Sequence, residues 1–565
     1  MHRALTRIAR IMAVPVMALA GAGLAVGSSA QAATTPAAAP GAAEAALDTP
    51  GVPAALSRQQ LAWQECIPDA GFPQFECAGV EVPKDWSKPT GERITIAVSR
   101  VKAADATARR GVLLSNPGGP GGSGLILSLY FSLVEPDLAA AYDLIGIDPR
   151  GVGSSSPALA CADPAILNAL YGLDGRDTSA ANQKRYLDLN KQYAAACSAD
   201  ALTRHIRTDQ VVRDYDLVRS VLREAKVSYV GYSAGTWLGS WYAAVFPKRV
   251  DRFVLDGNLD FTAPSSESFN RQPAGFQKSF ESYLLPWIAS YDEVYDLGTT
   301  KAAVKKVYEA RRAVLAKTPL TLADGSALNA AGYDSGIAGS LYWTGLYDGL
   351  ATALSTVEHY DTATDEAKAQ VLDVFGSGGA EGNDVFWAVV CQDDKSPSYN
   401  QVLEDTRRFR RTAPLVGASW NANPCPFWPG RPKGSPVEGD ELPKLLMINN
   451  DADPATPLGN ALAARRNTPN ARLVTVTAQP DHTIYGNGDA CVEGLANGWL
   501  INGVMPRRDT RCAGLPLPVP EALAGGAAAA AGAASPAARA AAAPRMPAKV
   551  WIEQFQKTHG TPKVS

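Results

Sequence analysis

Ser233 lies in the run Val227-Ser228-Tyr229-Val230-Gly231-Tyr232-Ser233-Ala234-Gly235-Thr236-Trp237-Leu238, where a β-branched stretch enters Gly-x-Ser-x-Gly and continues as an apolar helix. Glycines two residues to either side permit a turn tight enough to lift the serine hydroxyl clear of the strand, exposing it as a nucleophile. Such a serine needs a base, and the base needs a carboxylate to orient it. The chain has only 5 histidines, so the base follows by elimination. His2 falls in the amino-terminal leader, His205 precedes the serine, His359 sits within a helical stretch and His559 lies in the tail. His482 alone follows a late strand pattern, in a loop able to aim it back at Ser233. For the acid, Asp453 in Asn450-Asp-Ala-Asp-Pro-Ala-Thr-Pro457 follows a strand and precedes a helix. Asp451 is its competitor two residues earlier, and Asp256 and Asp260, after the strand that follows the serine, offer a second place from which a carboxylate could reach the histidine.

Acyl transfer also needs two pre-aimed backbone donors for the oxyanion, each worth about 3 kcal/mol. The N–H of Ala234, just after the nucleophile, is one. The other is expected from the turn Asn116-Pro-Gly-Gly-Pro-Gly-Gly-Ser-Gly124, at Gly119 with Gly118 beside it. Read as a phosphate loop, this turn lacks G-K-[ST] and is interrupted by two prolines. Asp148-Pro-Arg-Gly-Val-Gly-Ser154 reads as a structural turn.

These residues need a scaffold. Thr208–Lys226 opens on a capping threonine and places Val211, Tyr215, Val218 and Leu222 at helical spacing; Thr236–Phe246 is an apolar helix that stops at Pro247. Strand patterns occur at Ile94–Val101, Arg110–Ser115, Tyr142–Asp148, Val227–Tyr232, Arg252–Asp256, Lys444–Asn449 and Arg472–Thr477. Strands alternating with helices predict a mostly parallel sheet with helices on both faces, and the serine turn within it predicts the α/β-hydrolase fold. The alternation stops at Thr262 and returns after Gly430; the stretch between, with helices at Lys301–Ala316 and Ser340–Leu354, reads as a mainly helical lid inserted after the sixth strand. The expected organisation is a signal peptide over 1–32, a flexible linker or pro-piece over 33–55, hydrolase core over 56–261, lid over 262–430, core again over 431–512 and an Ala-rich linker and tail over 513–565.

At 565 residues with 46% apolar residues and a net charge of −3, the chain has ample material for a core and shows no basic stripe for nucleic acid. Arg3, Arg7 and Arg10 precede the uncharged run Ile11–Val26 and the cleavage-type sequence Ala30-Gln31-Ala32. This pattern predicts export rather than stable membrane anchoring, because the run is short and diluted by Gly and Ala. In an exported chain, eight cysteines read as disulfides rather than metal ligands. They fall as neighbours, Cys66 with Cys77, Cys161 with Cys197, Cys391 with Cys425 and Cys491 with Cys512. Sequential pairing is the simplest of on the order of 100 connectivities. No C-x-x-C occurs, and no metal or other cofactor is implied.

The chain resembles the secreted tripeptidyl aminopeptidases, serine exopeptidases of the α/β-hydrolase fold related to the proline iminopeptidases. The resemblance spans roughly Trp63 to Pro520. Its marks are Cys77-Ala-Gly-Val-Glu-Val-Pro-Lys-Asp-Trp86, Asn116-Pro-Gly-Gly-Pro-Gly121, Asp148-Pro-Arg-Gly-Val-Gly153, Gly231-Tyr-Ser-Ala-Gly-Thr-Trp-Leu-Gly239, Val254-Leu-Asp-Gly257, Cys391-Gln-Asp393 and Asp453-Pro-Ala-Thr-Pro457. It implies the triad Ser233, Asp453 and His482. Three features depart from the family pattern: Ala234 where tyrosine is common, Pro480-Asp481 where glycine usually precedes the histidine, and the Ala-rich tail.

The expected activity is release of short peptides, tripeptides in the family sense, from free N-termini. A carboxylesterase using the same triad and a non-catalytic binding protein on a hydrolase scaffold are the alternatives. An aminopeptidase must hold the substrate ammonium with carboxylates, for which Asp393 and Asp394 are the candidates by position.

Overall fold

The fold is described from a computed structural model covering residues 48–49, 51–376, 383–428, 430, 432–523, 548–562 and 564. The strands are β1 (Gln64–Glu65), β2 (Glu76–Pro83), β3 (Arg93–Val101), β4 (Val112–Asn116), β5 (Asp143–Ile147), β6 (Val227–Tyr232), β7 (Val250–Asp256), β8 (Leu320–Thr321), β9 (Ala327–Leu328), β10 (Leu445–Asn450), β11 (Arg472–Thr477) and β12 (Thr510–Ala513). Ten of them form one sheet in the order β1-β2-β3-β5-β4-β6-β7-β10-β11-β12. The pairs β1–β2, β2–β3 and β3–β5 are antiparallel and the rest parallel.

The sheet is covered on both faces: every residue of its central strands β4, β6 and β10 is buried, and successive side chains point to opposite sides. Leu114, Tyr229, Leu255 and Met447 join one core with the helices Thr208–Val221 and Ala234–Val245. Leu113, Val230, Val254 and Ile448 join the other, with the helices Leu127–Val134 and Ala490–Asn502. This is the α/β-hydrolase fold. Between β7 and β10 the chain is mainly helical and owns a third core, built on residues such as Phe280, Tyr308, Tyr333 and Tyr347. Setting aside the two-residue β1, that insertion follows the sixth strand.

Several details differ from the sequence expectations. The helix expected over Ser340–Leu354 is broken: one helix ends at Ser340, and another begins at Tyr347 after a 3₁₀ turn at Thr344–Leu346. The N–H of Thr344 is taken instead by Asp481 Oδ1 at 2.7 Å. The insertion also contains the β8–β9 hairpin. Ordered packing begins before Leu56: Thr49 is buried and donates to the Asp216 carbonyl, and Asp48 pairs with Arg58 and Arg223. The tail is likewise partly docked. The Trp287 indole N–H binds the Pro518 carbonyl at 2.8 Å, and the helix Ala548–His559 buries Ile552 and Phe555 against the core that holds Leu127. Three or four apolar side chains suffice for this, too few for composition to reveal. The signal-peptide segment and the Ala/Gly run Gly525–Ala543 lie outside the described residues.

Disulfides join Cys66 to Cys77, Cys161 to Cys197, Cys391 to Cys425 and Cys491 to Cys512. No helix among the described residues is long and apolar enough to cross a membrane.

Candidate active site

Ser233 occupies the bend between β6 and the helix Ala234–Val245, with φ 54° and ψ −124°. A non-glycine residue there costs about 1–3 kcal/mol and persists only when its surroundings impose it. Three contacts do so: Ser233 N–H to the Asp256 carbonyl, and the Thr236 N–H and hydroxyl to the Ser233 carbonyl. A side chain at Gly235 would meet the Asn116 carbonyl at 2.8 Å, which is why the motif needs glycine after the serine.

The glycine-rich turn follows β4 and closes on the serine bend. Gly118, at φ +92°, lies so near that a Cβ there would stand 2.5 Å from the Tyr232 carbonyl, 2.8 Å from Ser233 Cβ and 2.9 Å from Ala234 N. Its own N–H is committed to Asn116 Oδ1 at 2.9 Å. Asp148 anchors the far end of the turn, accepting from the Ser123 hydroxyl and the Gly124 N–H through Oδ1 and from Ser154 N–H through Oδ2. Burial nevertheless pushes its carboxyl above the usual range. Arg150 in the same segment is buried in a two-pronged pair with Asp214, consistent with a structural turn.

His482 stands in the loop after β11, its Nδ1 at 2.9 and 3.0 Å from the two carboxylate oxygens of Asp453. Asp453 is oriented by the N–H groups of Ala455 and Thr456 on Oδ1 and by the Thr456 hydroxyl on Oδ2. The same hydroxyl lies 3.3 Å from His482 Nδ1. With Nδ1 facing the carboxylate, Nε2 is the nitrogen left for chemistry. The imidazole is further fixed by its main-chain N–H on the Tyr342 carbonyl at 2.9 Å, and by the Tyr342 ring standing edge-on at 5.3 Å.

The competing carboxylates are engaged elsewhere. Asp451 accepts from Gln479 N–H, Asp260 from Thr262, and Asp256 Oδ2 from the N–H groups of Ile484 and Tyr485. Burial raises Asp256 to about 7 and Asp481 to about 6.

Asp393 and Asp394, adjacent in sequence, face different surroundings. Asp393 Oδ1 accepts the N–H of Thr208 and Oδ2 the Trp237 indole N–H. Thr208 therefore does not cap its own helix; a carboxylate from the insertion does so across 185 residues. Burial raises Asp393 to about 7. It borders a cavity whose other walls include Gly118, Ala234, Trp237, Leu259 and Val389. Asp394 takes the Ser265 N–H on Oδ2 at 2.7 Å and borders a larger cavity lined mainly by the insertion, with Tyr342, Phe276 and Trp387. The two cavities adjoin at Ser265, Phe269 and Val390.

Residues 111–296 match the family model "alpha/beta hydrolase fold", and residues 413–512 match "TAP-like protein". Tripeptidyl aminopeptidase from Streptomyces lividans is 32% identical over 481 residues, 81% of this chain and 88% of that protein. The chain belongs to the tripeptidyl aminopeptidase family of α/β-hydrolases. Other proteins similar to it are serine protease Hip1 of Mycobacterium tuberculosis, 30% identical over 80% of this chain and 91% of that one, and carboxylesterase B of the same species, 31% identical over 82% and 92%. A tripeptidyl aminopeptidase family member with this fold is a serine hydrolase.

Sequence reasoning did not single out Thr456 or Tyr342. Thr456 follows Asp453 by three residues, an N-cap-like spacing that could have flagged it. Tyr342 comes from the helical insertion, far from His482 in sequence, and nothing local marks it.

Proposed function

We propose that this serine hydrolase is an exported peptidase that removes short peptides, tripeptides in the first instance, from free amino termini. The N-terminal leader pattern and four disulfides support export. Ser233 Oγ attacks the scissile carbonyl carbon and passes its proton to His482 Nε2. Asp453 holds the imidazole by Nδ1 and stabilises the imidazolium that forms. The N–H groups of Ala234 and Gly119 receive the oxyanion; Gly118 contributes clearance, since its own N–H is taken by Asn116. The imidazolium then protonates the leaving amine as the C–N bond breaks, and water hydrolyses the acyl-enzyme by the same proton route in reverse.

The observation that carries the aminopeptidase reading is Asp394. It lies on the wall of the larger cavity, with a single N–H bound to one carboxylate oxygen. That leaves Oδ1 to receive a substrate ammonium. Asp393, whose two oxygens each already accept an N–H, is assigned to positioning the helix at Thr208. The helical insertion acts as a lid that closes the cleft around the peptide N-terminus. The apolar lining beside Gly118 and Ala234 also fits a carboxylesterase with a hydrophobic acyl group. Hydrolysis of a free tripeptide amide, its N-acetylated form and a short acyl ester separates the two: selective loss on acetylation supports the aminopeptidase, and equal rates on both peptides overturn it.

A further inference from the structure

Four cations gather at a surface cavity away from Ser233. The cavity is bordered by Arg204, His205, Arg207, Arg213 and Lys433, with Asp85 and Asp209 as its only carboxylates among the described residues. The sequence shows no basic stripe here because Lys433 lies more than two hundred residues from the three arginines. Tertiary folding brings it to them.

The carboxylates are already committed. Asp209 pairs with Arg207 at 2.9 Å and accepts from Gln210. Asp85 accepts from the Ser87 hydroxyl and N–H, bonds that hold it below the usual carboxylate range. Arg204, Arg213 and the Lys433 ammonium have no hydrogen-bond or ion-pair partner among the described residues. A second cavity shares Asp209, Arg213 and Lys433 and is walled by Trp241. The Arg204 and Arg213 guanidinium groups and the Lys433 ammonium border one concave space as donors without acceptors.

We propose that this groove binds a small polyvalent oxyanion of the phosphate class. Guanidinium groups match tetrahedral oxyanions by paired N–H donors, and the ammonium adds a point charge. Two carboxylates among four cations leave a site that is net positive in a chain of net charge −3. The ligand would also link parts of the fold that meet at the active-site cleft. Lys433 N–H binds the Gln392 carbonyl, and Gly434 N–H binds the Asp393 carbonyl. The Lys433 segment is thus fixed to the end of the helix Asn383–Asp393, while Arg213 belongs to the helix Thr208–Val221. An oxyanion held between them clamps those two helices across the Asp393–Thr208 contact.

His205 is a built-in reporter. Burial lowers its imidazole, and the nearby Arg150, Lys84 and Arg204 cations add to this against the opposing pull of Asp85. A bound anion raises it.

The test titrates pyrophosphate into the full-length protein by calorimetry at fixed ionic strength, with chloride as the control. In parallel, the His205 imidazole is followed by NMR pH titration. One-to-one binding is expected, weakened about tenfold or more in Arg204→Gln/Arg213→Gln and again in Lys433→Gln. The His205 pKa should rise with pyrophosphate but not with chloride. Peptide hydrolysis without pyrophosphate should match the unaltered protein, which shows that the variants are folded. Heats no greater than in chloride, or binding and His205 shifts unchanged in both variants, overturn the proposal.

Discussion

Ser233 donates its main-chain N–H to the carbonyl oxygen of Asp256 at 2.9 Å. The same residue's carboxylate accepts the N–H groups of Ile484 and Tyr485 at 2.8 Å each, two and three residues beyond His482. One buried aspartate at the end of β7 therefore holds both the Ser233 turn and the loop that carries His482. Asp256→Ala is expected to lower kcat by about 10–100-fold, the equivalent of losing one or two hydrogen bonds to a charged group. Asp256→Asn keeps a side-chain acceptor for the N–H groups of Ile484 and Tyr485 and should lose less. Steady-state kinetics check this, and an unchanged kcat in Asp256→Ala would refute it.

Removing the proposed triad members should abolish turnover without unfolding the chain. Ser233→Ala is expected to leave no acyl-enzyme, and Asp453→Asn to reduce kcat by about 10⁴ because the imidazole loses its orienting carboxylate. Burst kinetics with a chromogenic tripeptide amide, together with thermal melting, check both. Residual activity in Ser233→Ala at more than about a hundredth of the original would exclude Ser233 as the nucleophile.

Gly118→Ala tests the closeness of the two turns. The added methyl meets the Tyr232 carbonyl at 2.5 Å and Ala234 N at 2.9 Å, and the residue is held at φ +92°. Neither neighbour is the end of a flexible side chain, so the turn must move off the proposed oxyanion site. Loss of about 10²-fold or more in kcat, with little change in KM, is the expected outcome.

Asp394 and Asp393 should separate by readout. Asp394→Asn removes the proposed ammonium partner and is expected to raise KM for free tripeptides by about 10–100-fold, leaving N-acetylated substrates unaffected. Asp393→Asn should alter stability more than KM. Steady-state kinetics on paired free and blocked peptides decide this; an equal effect of Asp394→Asn on both would remove it from substrate binding.

Stability should fall as pH rises through the weakly acidic range. Asp256 and Asp393 are raised to about 7 and Asp481 to about 6, in each case mainly by burial. A carboxyl with a folded pKa above its unfolded value of about 4 binds its proton more tightly in the fold. Its contribution is full below that unfolded value and is lost as pH climbs to 6–7. Melting temperatures measured from pH 4 to 8 should show this decline, and Asp393→Asn should flatten part of it.

Much of the core was legible because it depends on local pattern. The apolar runs of β4, β5, β6, β7, β10 and β11 and the helices between them announce a buried parallel sheet, since strands covered on both faces need no polar alternation. The short β1 and β12 were not legible. Neither were the break at Leu341–Trp343 and the docked C-terminal helix, because distant groups such as Asp481 and Phe72 determine them. At the site, Ser233 was marked by its glycines and His482 by elimination. Asp453 was favoured by its place after a late strand and by the family resemblance, with Asp451, Asp256 and Asp260 as competitors whose similar local surroundings do not exclude them.

From its sequence alone this chain specifies the fold class and a candidate nucleophile and base, because a strand–turn–helix with small residues around a serine is a local steric requirement. Only the tertiary structure showed that Asp453 and not its competitors stands against His482, that Asp393 caps a distant helix while Asp394 lines the cavity of the insertion, and that Lys433 joins Arg204 and Arg213. Those outcomes depend on where side chains far apart in the chain come to lie, and no local spacing encodes that.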